Sequence, residues 1–207
     1  MPKSEKFWDR LAKKYAKQPI KDMQSYNQTM DQTKAHLSKD DSVLEIGCGT
    51  GSTALLLAGS VEQITARDTS GKMVDIANAK AKDQQIGNTT FAKGSVFDDA
   101  LGEQSFNVVM AFNLLHLLED MPSAIRRVNA LLKPGGLFIS KTVCMKGQGG
   151  FLPMILPVMQ FIGLAPYVRF LTSDELEGIV TNEGFEIIET GDYPASPPSR
   201  FIVARKT

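Results

Sequence analysis

Val43-Leu44-Glu45-Ile46-Gly47-Cys48-Gly49-Thr50-Gly51 runs from an apolar segment into three glycines spaced two apart. Ser42 to Ile46 reads as a strand, and Gly51 to Ala58, small and leucine-rich, reads as a helix packed on a sheet. Between them the glycines let the chain turn sharply and let a ligand reach the backbone with no Cβ in the way. A strand, a glycine turn and a helix in that order predict the first unit of a doubly wound sheet.

The chain on either side continues the alternation. Gln63 to Arg67 reads as a second strand, and Asp68-Thr69-Ser70 offers an N-cap to a helix from about Gly71 to Gln84 that turns Met73, Val74, Ile76 and Ala77 to one side. Thr89 to Lys93 is a third strand. Phe106 to Phe112 is a fourth, almost continuously apolar, as a strand covered on both faces must be. A helix opened by Asp120-Met121-Pro122 runs to Leu132 and stops at Lys133-Pro134-Gly135-Gly136, before a fifth strand, Leu137 to Val143. Thr172 to about Gly184 forms a helix with an acidic first turn. Phe185 to Thr190 and Arg200 to Arg205 follow as two strands, parted by a loop, Gly191 to Ser199, that holds Pro194, Pro197 and Pro198. With no helix between them these two pair antiparallel, whereas the crossovers make the earlier strands parallel. The expected fold is α/β: a doubly wound, seven-stranded, mostly parallel Rossmann-like sheet with an antiparallel C-terminal hairpin, in one domain over 1–207.

Composition narrows the partners. The 207 residues are 43% hydrophobic and 22% charged, with 17 Gly and 10 Pro, which excludes collagen-like and low-complexity chains. Lys+Arg 23 balances Asp+Glu 23, so no global field holds a polyanion and nucleic acid is not the expected partner. Cys48 and Cys144 stand far apart, with no Cys-x-x-Cys or His-rich spacing, so neither a disulfide framework nor a metal site is expected. A reducing compartment, the cytoplasm, fits this usage. The opening MPKSEKFWDRLAKKY has no apolar h-region of a secretory signal.

Asp68 ends the second strand 21 residues after Gly47. An acid at that spacing sits beside the glycine turn and can accept both hydrogens of a ribose diol, which points to an adenosine-containing ligand. A dinucleotide fingerprint needs a third Gly or Ala where Ser52 stands, and that substitution speaks against a nicotinamide-dependent oxidoreductase, the second enzyme class weighed here.

With its Gly-x-Gly-x-Gly turn the sequence resembles the class I S-adenosylmethionine-dependent methyltransferases. The resemblance covers roughly residues 42 to 190. It takes in Glu45 to Gly51, Asp68, Phe91 to Phe97, the exit Asn113-Leu114-Leu115-His116-Leu117 from the fourth strand, and the Leu132 to Gly136 turn. By pattern it is nearest to the small-molecule and quinone-biosynthesis members, and no Asn-Pro-Pro-Tyr type motif of base or protein amide methylation is present. It implies S-adenosyl-L-methionine as cofactor and a small, apolar or amphiphilic acceptor, and it leaves the acceptor atom and the oligomeric state open. It also implies roles. Glu45 lies behind the loop near the methionine amine, Gly47, Cys48 and Gly49 line the amino-acid end, and Asp68 with Thr69 holds the ribose. Met73 covers an adenine face, Ser95 and Val96 meet the ring edge, Asn113 borders the cofactor, and Tyr15 closes over it from N-terminal cap helices at about 1–40. Ser95 departs from the Asp common in the family, and Ala66-Arg67 places a charge beside the ribose edge.

Methyl transfer from a sulfonium asks mainly for alignment and exclusion of water. An acceptor that must lose a proton needs a base, and His116 is the candidate because it follows the fourth strand at the sheet edge; the competing reading is a histidine facing the core. His36 reads as a surface residue. Cys48 reads as a small buried side chain rather than a nucleophile, and Cys144 either lines the acceptor pocket or packs. Phe7, Trp8, Leu11 and Tyr15 share helical spacing among Lys6, Arg10, Lys13, Lys14 and Lys17. That helix either packs on the domain or makes peripheral contact with a membrane surface, and a non-catalytic cofactor-binding module that touches membranes is the third class considered. Gly147 to Val168 carries no charge over 22 residues, but Pro153, Pro157 and Pro166 break it as a membrane span. It is expected to be an insertion covering an apolar acceptor pocket, with Phe151, Leu152, Met154, Ile155, Leu156, Met159, Phe161 and Ile162 as its apolar residues.

Overall fold

In the computed structural model, which describes residues 3–147, 152–161 and 163–207, β1 (Ser42–Ile46) runs through the middle of a seven-stranded sheet. β2 (Gln63–Asp68) and β4 (Phe106–Phe112) pair parallel to its two edges, and β3 (Thr89–Lys93) lies beyond β2. On the other side β5 (Leu132–Val143) pairs parallel with β4. β7 (Pro198–Lys206) pairs antiparallel with β5, and β6 (Phe185–Ala195) closes the edge antiparallel to β7. The order β3-β2-β1-β4-β5-β7-β6 reverses direction at β1, which leaves a crevice at the carboxyl ends of β1 and β4.

Alternation along each strand builds two cores. Leu44, Ile46, Val109, Ala111, Phe138, Ile202 and Ala204 face α5 (Met121–Leu131) and α7 (Ser173–Asn182). Val43, Val108, Met110, Ile139, Phe201 and Val203 face the opposite way, onto a cluster that includes Met30 of α2 (Met23–Ala35), Ala54 and Leu57 of α3 (Ser52–Leu57) and Ala77 of α4 (Gly71–Asp83). Strands buried on both faces are apolar at odd and even positions, as Val108 to Ala111 of β4 and Leu137 to Ile139 of β5 are. Phe138 and Phe201, both fully buried, belong to the cores on opposite faces of the sheet, and each contributes roughly 1.5–3 kcal/mol through removal from water.

Two boundaries differ from the sequence reading, each for a backbone reason. Lys133 to Gly136 does not break helix from strand: β5 begins at Leu132, which pairs with Phe106, and Leu137 pairs with Val108, so the four residues bulge out of a continuous strand. Gly136 permits this because a Cβ there would stand 2.9 Å from the Asn107 carbonyl oxygen. The expected loop from Gly191 to Ser199 is mostly ladder, since β6 runs to Ala195 and Ala195 pairs with Pro198. Its prolines are tolerated because β6 is an edge strand and Pro198 opens β7.

Before β1, α1 (Lys3–Ala16) and α2 lie over the carboxyl end of the sheet. The side of α1 that meets the domain is centred on Glu5 and Ala12 rather than on the expected Phe7 and Leu11. Glu5, 5% exposed, pairs with Lys93 Nζ at 2.5 Å, and Asp9 accepts a hydrogen bond from Ser70 Oγ at 2.6 Å. The Glu5 ion pair and the Asp9 hydrogen bond thus hold this helix to the end of β3 and the start of α4, beside the buried Ala12.

Candidate functional site

The turn after β1 is left-handed at Gly47, Gly49 and Gly51, with φ of 69°, 53° and 76°. At Gly51 a Cβ would also stand 2.7 Å from the Phe91 ring and 2.8 Å from Ala77 Cβ, so this glycine lets α3 close onto β3 and α4. Gly47 and Cys48 N–H groups both donate to the Arg67 carbonyl, at 2.8 and 3.1 Å, which ties the turn to β2.

That tie brings Asp68 under the turn. Its Oδ2 accepts the Gly49 N–H and its Oδ1 the Ser70 N–H, both at 2.8 Å. Burial raises its pKa, and the two N–H donors oppose the rise. Each oxygen keeps lone pairs free to accept from a diol. Glu45, one strand over, is 2% exposed, and its Oε2 has no hydrogen-bond partner among the described residues. Burial, with the Asp68 charge adding to it, pushes its pKa up to about 8. Two buried carboxylates with raised pKa values, one of them unpartnered, form a site that a cationic ligand would satisfy.

Two clefts meet at this turn. The first encloses about 950 Å³ counting its open mouth, and its walls include Trp8, Tyr15, Gly47, Gly49, Asp68, Thr69, Met73, Ser95, Val96 and Asn113. The sequence reading did not assign Ser4, Phe97, Phe112, Leu114, Leu117 or Leu118 to it. Phe97, 54% exposed, stands at the mouth with no sequence signal to mark it, whereas the leucines follow β4 in one run. Ser95 spends its Oγ as acceptor to the Phe97 N–H at 3.1 Å, so its hydroxyl shapes the loop.

The second cleft, about 1170 Å³, shares Tyr15, Gly47, Gly49, Phe112 and Asn113 with the first and extends past Cys48 to Pro19, Ile20, Tyr26, Lys141 and Pro194. Asn113 holds the boundary in a left-handed conformation, φ 54°, with its N–H on the Lys141 carbonyl at 2.8 Å. Tyr15, 48% exposed, stands 6.4 Å from Trp8 between ring centroids and edges both clefts. Lys141 is a residue the sequence reading missed. Its signal was there: it is the one charge in the otherwise uncharged strand segment Leu137 to Val143.

Other expected residues stand elsewhere. His116 is in the turn after β4, outside the residues lining either cleft, although Leu117 beside it lines the first. Its buried Nδ1 has no partner among the described residues, and burial lowers its pKa to about 4. It is a neutral imidazole near physiological pH. Arg67 turns away from the ribose side and lies against Gly94 and Asp98, at 3.4 Å from the Asp98 carboxylate. Arg67 thus stands behind Gly94, a wall of the first cleft, and does not itself line that cleft. Cys48 is 7% exposed, and burial with Glu45 and Asp68 nearby pushes its thiol pKa up, so it stays protonated. Cys144 is buried outside both clefts. His36 is half-buried and bonded to Glu189 at 2.7 Å rather than free at the surface.

α6 (Leu152–Phe161) lies in the uncharged stretch. Phe151 and Ile162 fall outside the described residues, as do the side chains of Leu152, Met154 and Phe161. None of the described residues from 152 to 168 lines either cleft. Pro157, Gln160 and Gly163 instead face Phe7 and Arg10 on the outer side of α1, where Arg10 donates to the Gly163 carbonyl at 2.6 Å. Ile155, Val158 and Leu164 remain exposed. No helix among the described residues is long and apolar enough to cross a membrane, and no cluster of metal-ligating side chains is present among them.

Residues 43–136 match a family model described as a methyltransferase domain. The chain is 29% identical over 174 residues to a ubiquinone biosynthesis O-methyltransferase of Methylobacterium nodulans, covering 80% of this chain and 68% of that one. Its fold superposes on the YcgJ protein of Bacillus subtilis with a TM-score of 0.70 at 16% identity, covering 87% and 98% of the two chains. It also superposes on a geranyl diphosphate C-methyltransferase from Streptomyces coelicolor, solved with S-adenosyl-L-homocysteine, with a TM-score of 0.72 at 13% identity over 88% and 79%. The domain match speaks against the nicotinamide alternative, and the unpartnered Glu45 carboxyl suits a ligand that carries cationic groups. The chain is thus similar to S-adenosylmethionine-dependent methyltransferases in its 43–136 domain match, in its O-methyltransferase relative and in its fold.

Proposed function

We propose that the protein methylates a small, apolar or amphiphilic acceptor, with the cofactor in the first cleft and the acceptor entering through the second. The observation that carries this reading is the junction of the two clefts at Gly47, Gly49 and Asn113. Asp68 is assigned to the ribose diol, Thr69 to the same edge, Met73 to an adenine face and Val96 to the ring edge. Glu45 answers the positive charge of the methionine end from behind Gly47, Cys48 and Gly49.

S-adenosyl-L-methionine supplies a methyl group already activated: the acceptor's electron pair bonds to the carbon as the carbon–sulfur pair goes to sulfur. The protein's share is alignment and a dry junction. Pro19, Ile20, Tyr26, Phe112 and Pro194 give the second cleft apolar walls beside polar ones that include Asp22, Lys80 and Lys141, an amphiphilic lining, and Tyr15 stands where the clefts meet. The O-methyltransferase relatives support a small-molecule acceptor. The described part of the uncharged stretch acts on this site through α1, because Pro157, Gln160 and Gly163 stand against Phe7 and Arg10 of the helix that carries Trp8 and Tyr15.

The test is methyl transfer to a panel of small hydroxylated aromatics and alkyl amines, read as S-adenosylhomocysteine formed. Turnover with members of this panel and none with oligonucleotide or peptide controls is expected. Turnover confined to the macromolecular controls would contradict the reading.

A further inference from the structure

Lys141 is out of place for a sheet interior. β5 lies between β4 and β7, and its neighbours in sequence, Ser140 and Thr142, are fully buried. An ammonium in such a position is costly unless something negative answers it. Among the described residues its Nζ finds one hydrogen-bond partner, the Thr29 hydroxyl at 3.0 Å, and Thr29 itself donates to the Ser25 carbonyl at 2.6 Å. No carboxylate pairs with it within ion-pair distance among the described residues, although Asp22, the N-cap of α2, also lines the second cleft. Burial lowers the Lys141 pKa and the Asp22 charge opposes that shift. The remaining N–H groups of Nζ are available to a ligand in the second cleft, whose walls also include Phe112, Asn113 and Pro194, the Asp22 carboxylate and a second ammonium, Lys80, which is hydrogen-bonded to Thr50 and Ser52.

The charges of the site are thereby sorted. Glu45 and Asp68 gather negative charge behind and below the glycine turn, where the cofactor's cations are assigned, and Lys141 places positive charge on the acceptor side of Asn113. A neutral acceptor would leave that ammonium with only the Asp22 charge, beyond ion-pair distance, to answer it.

We propose that Lys141 makes the second cleft a site for an acceptor with an acidic oxygen, a phenol bound as its phenolate, with the ammonium of Lys141 holding the anionic oxygen. This rests on the reading that the second cleft admits the acceptor. The phenol proton leaves to solvent on binding, and the oxygen is thereby held as the better nucleophile with no base in contact with it. That answers how a hydroxyl can be methylated when His116 lines neither cleft. Lys141 is an acceptor-binding residue, and the lone pairs of Thr29 aim it.

The probe is 4-nitrophenol, whose ionisation is visible in its absorbance, against 4-nitroanisole, its neutral methyl ether. Both are titrated into the protein saturated with S-adenosylhomocysteine. Wild type is expected to bind the phenolate at least tenfold more tightly than the ether, the scale of one charge-assisted hydrogen bond, and to lower the bound phenol's apparent pKa. Lys141→Met should bind both probes alike with S-adenosylhomocysteine affinity unchanged, and Lys141→Arg should keep part of the preference should the Met variant fold poorly. Equal binding of the two probes by wild type would overturn the inference while leaving the acceptor cleft intact. Loss of S-adenosylhomocysteine binding in both Lys141 variants, with melting unchanged, would also overturn it by giving the lysine to the cofactor's carboxylate. If neither probe bound wild type that holds S-adenosylhomocysteine, the acceptor-cleft reading would fall together with the inference.

Discussion

The two clefts share five residues and are built in opposite ways. The first depends on a local device: glycines in a left-handed turn, an acid 21 residues on, and hydrogen bonds from Gly49 and Ser70 that aim it. The second is assembled from distant pieces, with Ile20 before α2, Tyr26 on it, Lys141 in β5 and Pro194 in the edge strand. Backbone conformation fixes the one, and tertiary packing fixes the other. Sequence spacing therefore reports the first cleft and says little of the second.

The largest effect is expected where the first cleft's backbone leaves no room. Gly51→Ala combines left-handed strain with a clash against Phe91 and Ala77, and should cost about 3 kcal/mol and lower the melting temperature by roughly ten degrees. Unchanged melting would show that the turn does not need glycine there. Asp68→Ala should weaken S-adenosylhomocysteine binding by calorimetry by about ten- to a hundredfold while leaving the second cleft's probe binding in place, because it removes a charged acceptor from one cleft only.

Glu45 separates the clefts by pH. A carboxyl whose pKa is raised to about 8 takes up a proton on folding, so the ligand-free protein loses stability as pH rises from the ordinary carboxylate range through about 8. A cationic ligand beside it favours the ionised form and restores that loss. The melting shift given by S-adenosylhomocysteine should therefore grow between pH about 6 and about 8, and Glu45→Gln should flatten the profile. A wild-type shift independent of pH would mean that Glu45 does not sense the ligand. The smallest effect belongs to His116: since its ring lines neither cleft, His116→Gln should change methyl transfer less than about fivefold, and a hundredfold loss would restore it as the base.

The succession of strands and helices, the glycine turn and the C-terminal hairpin were legible because period and spacing are local properties. The bulge at Lys133 to Gly136 and the laddered prolines of β6 were not, since their status depends on which strand lies alongside. α1 was read by its aromatics, yet Glu5 and Asp9 dock it, and no helical pattern announces an ion pair with Lys93 or a bond from Ser70. The uncharged run was read as a cover because it is apolar; its described residues stand behind α1, where Arg10 meets Gly163. Lys141 was visible as a lone charge in an apolar strand, but only the pairing of β5 between β4 and β7 makes that charge unusual.

A crystal structure with S-adenosylhomocysteine bound tests the division of labour most directly. The account predicts ribose oxygens on Asp68, adenine against Met73 and Val96, the sulfur at the junction by Gly47 and Asn113, and the space before Lys141 left open. A cofactor lying in the second cleft, with its carboxylate on Lys141 and Asp68 untouched, would contradict it.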